Sequence, residues 1–175
     1  MGHATQTEFF PVNIAILTVS DTRTEENDTS GKVLVDNLEK AGHKLADKKI
    51  IPDDVYRIRA QVATWIADPA IEAIIITGGT GLTGRDITPE AVVPLFDKEI
   101  PGFGELFRMV SYDEIKTSTV QSRAVAGLSN GTLIFCLPGS TGACRTAWDK
   151  ILHDQLDIRH KPCNFTEMMP RFKEK

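Results

Sequence analysis

Two features of this 175-residue chain could do chemistry: the glycine-rich run Thr77-Gly78-Gly79-Thr80-Gly81 and the carboxylates Asp53 and Asp86. Without Cβ atoms at Gly78, Gly79 and Gly81 the backbone can turn tightly and set its N–H groups against an oxyanion, with the hydroxyls of Thr77 and Thr80 as further donors. The spacing matches neither GxGxxG nor GxxxxGK[ST], so neither a dinucleotide fingerprint nor a P-loop is present. Spacing alone also allows a plain tight turn. The long run to the next helix, with Asp86 inside it, favours a ligand. Carboxylates beside such a turn would repel a bare phosphate, and they make sense when a hard cation such as Mg²⁺ lies between. Asp53-Asp54 precede a helix, where an aspartate commonly caps, so capping and metal binding both stay open for Asp53. Arg85 could screen a polyphosphate or simply face solvent. Pro138-Gly139-Ser140 makes a second strand-to-helix turn, an ordinary place for phosphate, with Ser140 either N-cap or ligand. If the nucleophile is itself an ionised phosphate, no general base is needed, and the task is to neutralise and align. The residues point to a phosphorylated, nucleotide-containing ligand and a divalent ion.

Alternating strands and helices must position these groups. Asn13 to Val19 and Glu72 to Thr77 are nearly continuous apolar runs, as expected of strands covered on both faces. Leu133 to Leu137 is the last central strand, and Lys44 to Ile51 a more exposed one. Helices are expected over Lys32 to Ala41, from Asp54 to about Ala67, and from Thr88, with Thr88 as N-cap and Pro89 at the first helical position. Ile100 to Gly104 reads as a break, followed by helical segments near Glu105–Tyr112 and Thr119–Ala126. A last helix follows Ser140, with Cys144, Trp148 and Leu152 inward. The pattern predicts an α/β, three-layer αβα sandwich with a mostly parallel central sheet. Ligands of such sheets sit beyond the carboxyl ends of the strands, where Ser20-Asp21, Asp53-Asp54, Thr77–Thr88 and Pro138–Gly142 all fall. Glu105 could point into the same crevice. One domain is expected over 12–157, with a flexible N-terminal arm at 1–11 and a C-terminal extension at 158–175 packed on the domain or on a neighbouring subunit.

At 41% hydrophobic and 25% charged residues the composition is that of a soluble globule. A net charge of −4 without a basic stripe before the tail argues against nucleic acid as main partner, and no apolar run approaches a membrane span. Three cysteines without a CxxC pair, two of them at apolar positions, read as packed thiols and a reducing, cytoplasmic setting. His160 and Cys163 lack the other ligands of a zinc site.

The combination Thr77–Gly81, Arg85-Asp86-Ile87-Thr88-Pro89-Glu90, Pro101-Gly102-Phe103-Gly104-Glu105 and Leu137-Pro138-Gly139-Ser140 resembles the molybdenum cofactor biosynthesis family that includes MogA, MoaB and the gephyrin G domain. Ser20-Asp21 and Asp28-x-Ser30-Gly31 agree with it, and the stretch from Ser140 through Phe165 is most similar to the bacterial MoaB branch. The resemblance runs from about Val12 to Leu156. It implies a molybdopterin adenylyltransferase that uses Mg²⁺ and ATP to place AMP on the terminal phosphate of molybdopterin. Asp53 and Asp86 are then the essential carboxylates and metal ligands. The glycine turn with Pro138, Gly139 and Ser140 cradles phosphates, while Ser20, Asp21, Thr88 and Glu90 support the loops. Ser111, Ser118, Ser122 and Arg123 face the molybdopterin side. A non-catalytic molybdopterin-binding or scaffold protein of the pathway is the alternative. The resemblance also implies a homo-oligomer, a hexamer built as a dimer of trimers or else a trimer, and contact with other enzymes of the pathway.

Overall fold

The computed structural model describes residues 8–174. Six strands, β1 (Asn13–Val19), β2 (Lys44–Ile51), β3 (Ala73–Thr77), β4 (Lys98–Glu99), β5 (Val125–Ser129) and β6 (Thr132–Leu137), form one sheet in the order β2-β1-β3-β6-β5-β4. The first four in that order are parallel, and β5 and β4 join antiparallel. Because successive strand side chains point to opposite faces, the apolar runs feed two cores at once. Ile14, Ile16, Ile75 and Phe135 pack on one side with Leu34, Phe107, Cys144 and Trp148. Leu17, Ile74, Ile76 and Cys136 pack on the other with Ile58, Val62, Trp65 and Val92. This is the expected αβα sandwich.

The helices are α1 (Thr29–Lys40), α2 (Val55–Ala67), α3 (Thr88–Val92), α4 (Pro101–Ile115) and α5 (Thr141–Ala147), the last continued by a π turn at Trp148–Leu152 and by α6 (His153–Gln155). A short α7 (Phe165–Met168) lies in the C-terminal extension. α1 starts three residues before the expected Lys32, because the Asp28 carboxylate accepts the Gly31 N–H at 3.0 Å and caps it. α2 is capped by Asp54, whose carboxylate accepts the Arg57 N–H at 2.8 Å.

The region after Ile100 differs most from expectation. Pro101 opens α4 rather than breaking the chain, since proline at the first helical position gives up an N–H that would have no partner anyway. α4 then runs unbroken to Ile115, and Thr119–Ala126 forms no α-helix. A 3₁₀ segment covers Lys116–Gln121, and Val125–Ser129 is strand β5, paired with β6 across the turn at Asn130-Gly131. The positive φ values at both turn residues suit a tight hairpin turn.

Residues 1–7 of the N-terminal arm lie outside the described residues. Phe9 is seated between the His43 ring, 5.0 Å away, and the Arg159 guanidinium. The C-terminal extension packs on its own domain: Asn164 and Thr166 are buried, and the Phe165 ring lies 5.9 Å from Phe135.

His43 is buried and accepts the Val12 N–H through Nδ1 at 3.1 Å. Burial lowers its pKa from 6.5 to about 4, with Asp157 pulling upward and His153 downward. A base whose folded pKa is depressed lets the unfolded chain take the proton first. The stability that neutral His43 contributes is therefore complete above pH 6.5 and is lost as the pH falls from 6.5 toward about 4. The urea midpoint measured across that window should fall more steeply for the wild type than for His43→Asn, which keeps an acceptor without titrating. Parallel curves would contradict this assignment.

Candidate functional site

β1, β3 and β6 end side by side, with Thr18 opposite Thr77 and Thr77 opposite Leu137. Beyond these ends opens a cavity of about 530 Å³, within the range that holds small-molecule ligands. Its floor is Ser20, the run Thr77–Gly81, and Pro138, Gly139 and Ser140 at the start of α5. Its far wall is the end of α4 and the following 3₁₀ segment, through Phe107, Ser111, Glu114, Ile115, Ser118, Gln121 and Ser122.

The glycine turn is shaped by close approach. Gly78 has φ +104°, and a Cβ there would stand 2.2 Å from the Val19 carbonyl oxygen. On its other side Gly139 comes so near that its own Cβ would lie 3.2 Å from the Gly78 Cα. The Gly78 N–H donates to the Leu137 carbonyl at 3.0 Å, and Thr88 fixes the turn from behind, its hydroxyl donating to the Gly78 carbonyl at 2.8 Å and its N–H to that of Gly79 at 2.9 Å. Among the described residues, the N–H groups of Gly79 and Thr80 meet no hydrogen-bond acceptor, and both residues line the cavity.

Both carboxylates lean on this turn. A Cβ on Gly79 would stand 3.4 Å from Asp53 Oδ1, and one on Gly81 would stand 2.7 Å from Asp86 Oδ2. Because Asp54 caps α2, the Asp53 carboxylate is not used as a cap, and the competing reading of Asp53 falls away. Burial raises the pKa of Asp53, and the negative charge of Asp86 raises it further, against its own backbone N–H. For Asp86 burial also acts upward, but it is outweighed. Thr83 donates to it through hydroxyl and N–H at 2.7 and 2.8 Å, Gly81 adds a backbone bond and Arg123 a nearby charge, so the net shift is downward. Among the described residues no group of three or more His, Cys, Asp or Glu side chains converges as a metal site. Asp53 and Asp86, whose charges repel each other beside the glycine turn, are the residues here that could hold a hard cation.

Several expected roles change. Thr77 is fully buried, and its hydroxyl donates to the Pro138 carbonyl at 3.0 Å, tying two strand ends together instead of offering a donor to a ligand. Thr88 is not the N-cap of α3, a position held by Ile87 without a side-chain bond. Ser140 caps α5, accepting the Ala143 N–H at 3.1 Å, while still lining the cavity. Asp21 is not among the cavity-lining residues; it accepts the Asp53 N–H at 3.1 Å and pairs with Arg85. Arg123 stands behind the glycine loop rather than in the cavity. Its Nε donates to the Gly81 carbonyl at 2.8 Å and its Nη2 to that of Asp86 at 2.7 Å, and Glu90 pairs with its other nitrogen. Glu105 is outside the cavity; it borders a separate groove with Arg108 and Val125, because α4 starts earlier than expected and turns that residue away.

Arg23, Glu114, Gln121 and Thr146 also line the cavity and were not singled out in the sequence. Arg23 sits in the polar loop after β1, a loop anchored by buried Asp28, which accepts the Thr18 hydroxyl at 2.8 Å and pairs with Lys48 at 3.1 Å. Glu114 lies in the last turn of a helix read as ending at Tyr112, so no sequence signal placed it here.

A mostly parallel sheet, covered by helices on both faces, whose strand ends meet at a glycine turn defines the chain as an α/β three-layer sandwich. It belongs to the family described as "Probable molybdopterin binding domain", which matches residues 15–158. Molybdenum cofactor biosynthesis protein B of Escherichia coli strain K12 is 60% identical over 159 residues, 91% of this chain and 94% of that protein. The protein of the same name from Bacillus subtilis is 44% identical over 146 residues, 83% and 86% of the two chains. A crystal structure of a molybdenum cofactor biosynthesis protein B superposes with a TM-score of 0.82 at 45% identity, over 84% of this chain and 92% of that one. The tungsten cofactor synthesizing protein MoaB from Pyrococcus furiosus superposes with a TM-score of 0.73 at 38% identity, over 82% and 92%. The family resemblance and the fold drawn from the sequence both hold.

A carboxylate whose folded pKa is raised opposes folding once it ionises. Asp53→Asn should therefore raise the melting temperature at pH 7. The gain should vanish as the pH falls below the unfolded aspartate's ordinary value near 3.8, where both forms are neutral. A lower melting temperature at pH 7 would show that Asp53 serves the fold instead.

Proposed function

We propose that the chain acts in molybdenum cofactor biosynthesis by binding molybdopterin, with its terminal phosphate on the amides of Gly79 and Thr80 and its pterin toward the far wall. The observation that carries this reading is the pair of N–H groups without an acceptor among the described residues, on two residues that line the cavity. Backbone donors fixed by the fold receive an oxyanion without reorganising. The start of α5 at Ser140 adds the positive end of a helix dipole to the same floor, and Arg23 also lines the cavity. The names of the relatives support the pathway.

A second reading, Mg²⁺-dependent adenylyl transfer from ATP, is favoured by one further observation: Asp53 is spared from capping and abuts the glycine turn together with Asp86. In that reaction a terminal phosphate oxygen of molybdopterin attacks the α-phosphorus of ATP. A new P–O bond forms, the bond to the β-phosphate bridging oxygen breaks, and its electron pair leaves with pyrophosphate. Mg²⁺, held by Asp53 and Asp86, would supply charge neutralisation of the phosphate oxygens. The chain's own residues orient the reactants: the turn amides hold the attacking phosphate, Thr83 fixes the Asp86 carboxylate, and Arg123 with Glu90 braces the loop that carries it. The same family reading implies a trimer or a dimer of trimers, for which exposed Met109, Tyr112 and Val120 provide apolar surface.

Calorimetric titration should show molybdopterin binding at least about tenfold tighter than its dephosphorylated form, a difference of about 1.4 kcal/mol. Equal affinities would remove the phosphate site. With molybdopterin, ATP and Mg²⁺ supplied, pyrophosphate should appear only when molybdopterin is present. Asp86→Asn should slow its release by about 100-fold, the scale of losing one aligned electrostatic group. No release from fully loaded protein would leave binding as the function.

A further inference from the structure

At the end of the cavity away from the glycine turn, α4 and α5 meet through one polar contact. The Thr146 hydroxyl donates to the Glu114 carboxylate, 2.9 and 3.0 Å from its two oxygens. Thr146 is buried and cannot follow Glu114 into solvent, so the contact fixes the carboxylate against the wall. Glu114 itself is exposed and lines the cavity, with Ser111 and Ser118 near it on the chain and Phe107 about two turns earlier on the same helix. Neither binding nor anchoring of a phosphate uses Glu114; a carboxylate there would repel one. The two ends of the cavity thus differ: the glycine turn carries backbone amides beside the Asp86 carboxylate, and the α4 end carries a carboxylate fixed by a neighbouring hydroxyl.

An ionised carboxylate offers about four lone-pair positions and no donor, and the single Thr146 hydrogen cannot occupy them all. What such a group recognises is an edge carrying adjacent N–H donors. The 2-amino-4-oxo pyrimidine ring of a pterin presents such an edge through its 2-amino group and N3–H. The ring faces are apolar enough to lie against Phe107 and Ile115, which line the same wall. We propose that Glu114, positioned by Thr146, is the specificity-determining acceptor that selects a 2-amino-4-oxo pteridine at this end of the cavity. This rests on the reading that the phosphorylated ligand is molybdopterin, and it names the contact by which the pterin half would be distinguished.

The test separates the two halves with two probes. The intrinsic fluorescence of 6-hydroxymethylpterin, which carries no phosphate, reports the pterin end, and inorganic pyrophosphate, measured by calorimetry, reports the phosphate end. Wild-type protein should quench the pterin saturably and bind lumazine, whose 2-oxo group turns an acceptor toward Glu114, at least about tenfold more weakly, the loss expected for one charge-assisted hydrogen bond. Glu114→Gln should weaken pterin by a similar factor, abolish the preference over lumazine, and leave pyrophosphate affinity unchanged. Thr146→Val, which frees the carboxylate without removing it, should give an intermediate loss for pterin alone. Pterin bound equally by wild type and Glu114→Gln, no saturable quenching by the wild type, or no preference over lumazine would each overturn the assignment of Glu114. Pyrophosphate binding that persists through those results would keep the phosphate site intact. Loss of both probes from the wild type would defeat the molybdopterin reading together with this inference.

Discussion

The site depends on one approach of backbone to backbone. At the ends of β1, β3 and β6 the chain brings Gly78 against the Val19 carbonyl, at a distance no Cβ could share, and against Gly139 on the other side, where a Cβ would be crowded. The left-handed φ of Gly78 removes the remaining choice of residue. Two glycines thus allow three strand ends to converge, and the Gly78 N–H bond to Leu137 and the Thr77 bond to Pro138 lock β3 to β6 there. With those donors consumed by the fold, the next amides along, those of the cavity-lining Gly79 and Thr80, are left without a partner among the described residues.

A second layer holds the turn in that attitude. Thr88 seizes the carbonyls of Gly78 and Gly79 from below, and Arg123 takes those of Gly81 and Asp86 from behind. Each bond engages a carbonyl with a donor from a residue that does not line the cavity. Asp86 is drawn onto the loop by Thr83, whereas Asp53 keeps its carboxylate uncommitted and bears the repulsion. Such a pair is poorly suited to stability alone. Groups held against their own electrostatic preference are frequent at functional sites.

The elements that built this arrangement were legible to different degrees. β1, β3 and β6 could be read because burial on both faces demands unbroken apolar runs. The glycine turn and Ser140 stood out because their neighbours are strand ends and helix starts. Local signals misled where tertiary structure chose between equal options. Pro101 suits a break or a helix start, and only the packing of Phe103 and Phe107 under the sheet makes it the latter. Val125–Ser129 became strand because β6 offered a free edge, which no periodicity in those residues announced. The same displacement explains the site residues that moved: Glu105 turned outward, Glu114 came in, and Arg123 became a brace. Thr77 and Thr88 were recognised as important, but their hydroxyls satisfy carbonyls that the close glycine packing leaves exposed to one another, a demand visible only in three dimensions.

The most direct measurement is of the two amides themselves. In a ¹⁵N-labelled sample titrated with molybdopterin, the N–H resonances of Gly79 and Thr80 should move downfield together and saturate at one ligand per chain, as they would on donating to phosphate oxygens. The dephosphorylated ligand should leave them nearly in place. Saturable binding with those two resonances unmoved, and the largest shifts elsewhere on the protein, would contradict the account.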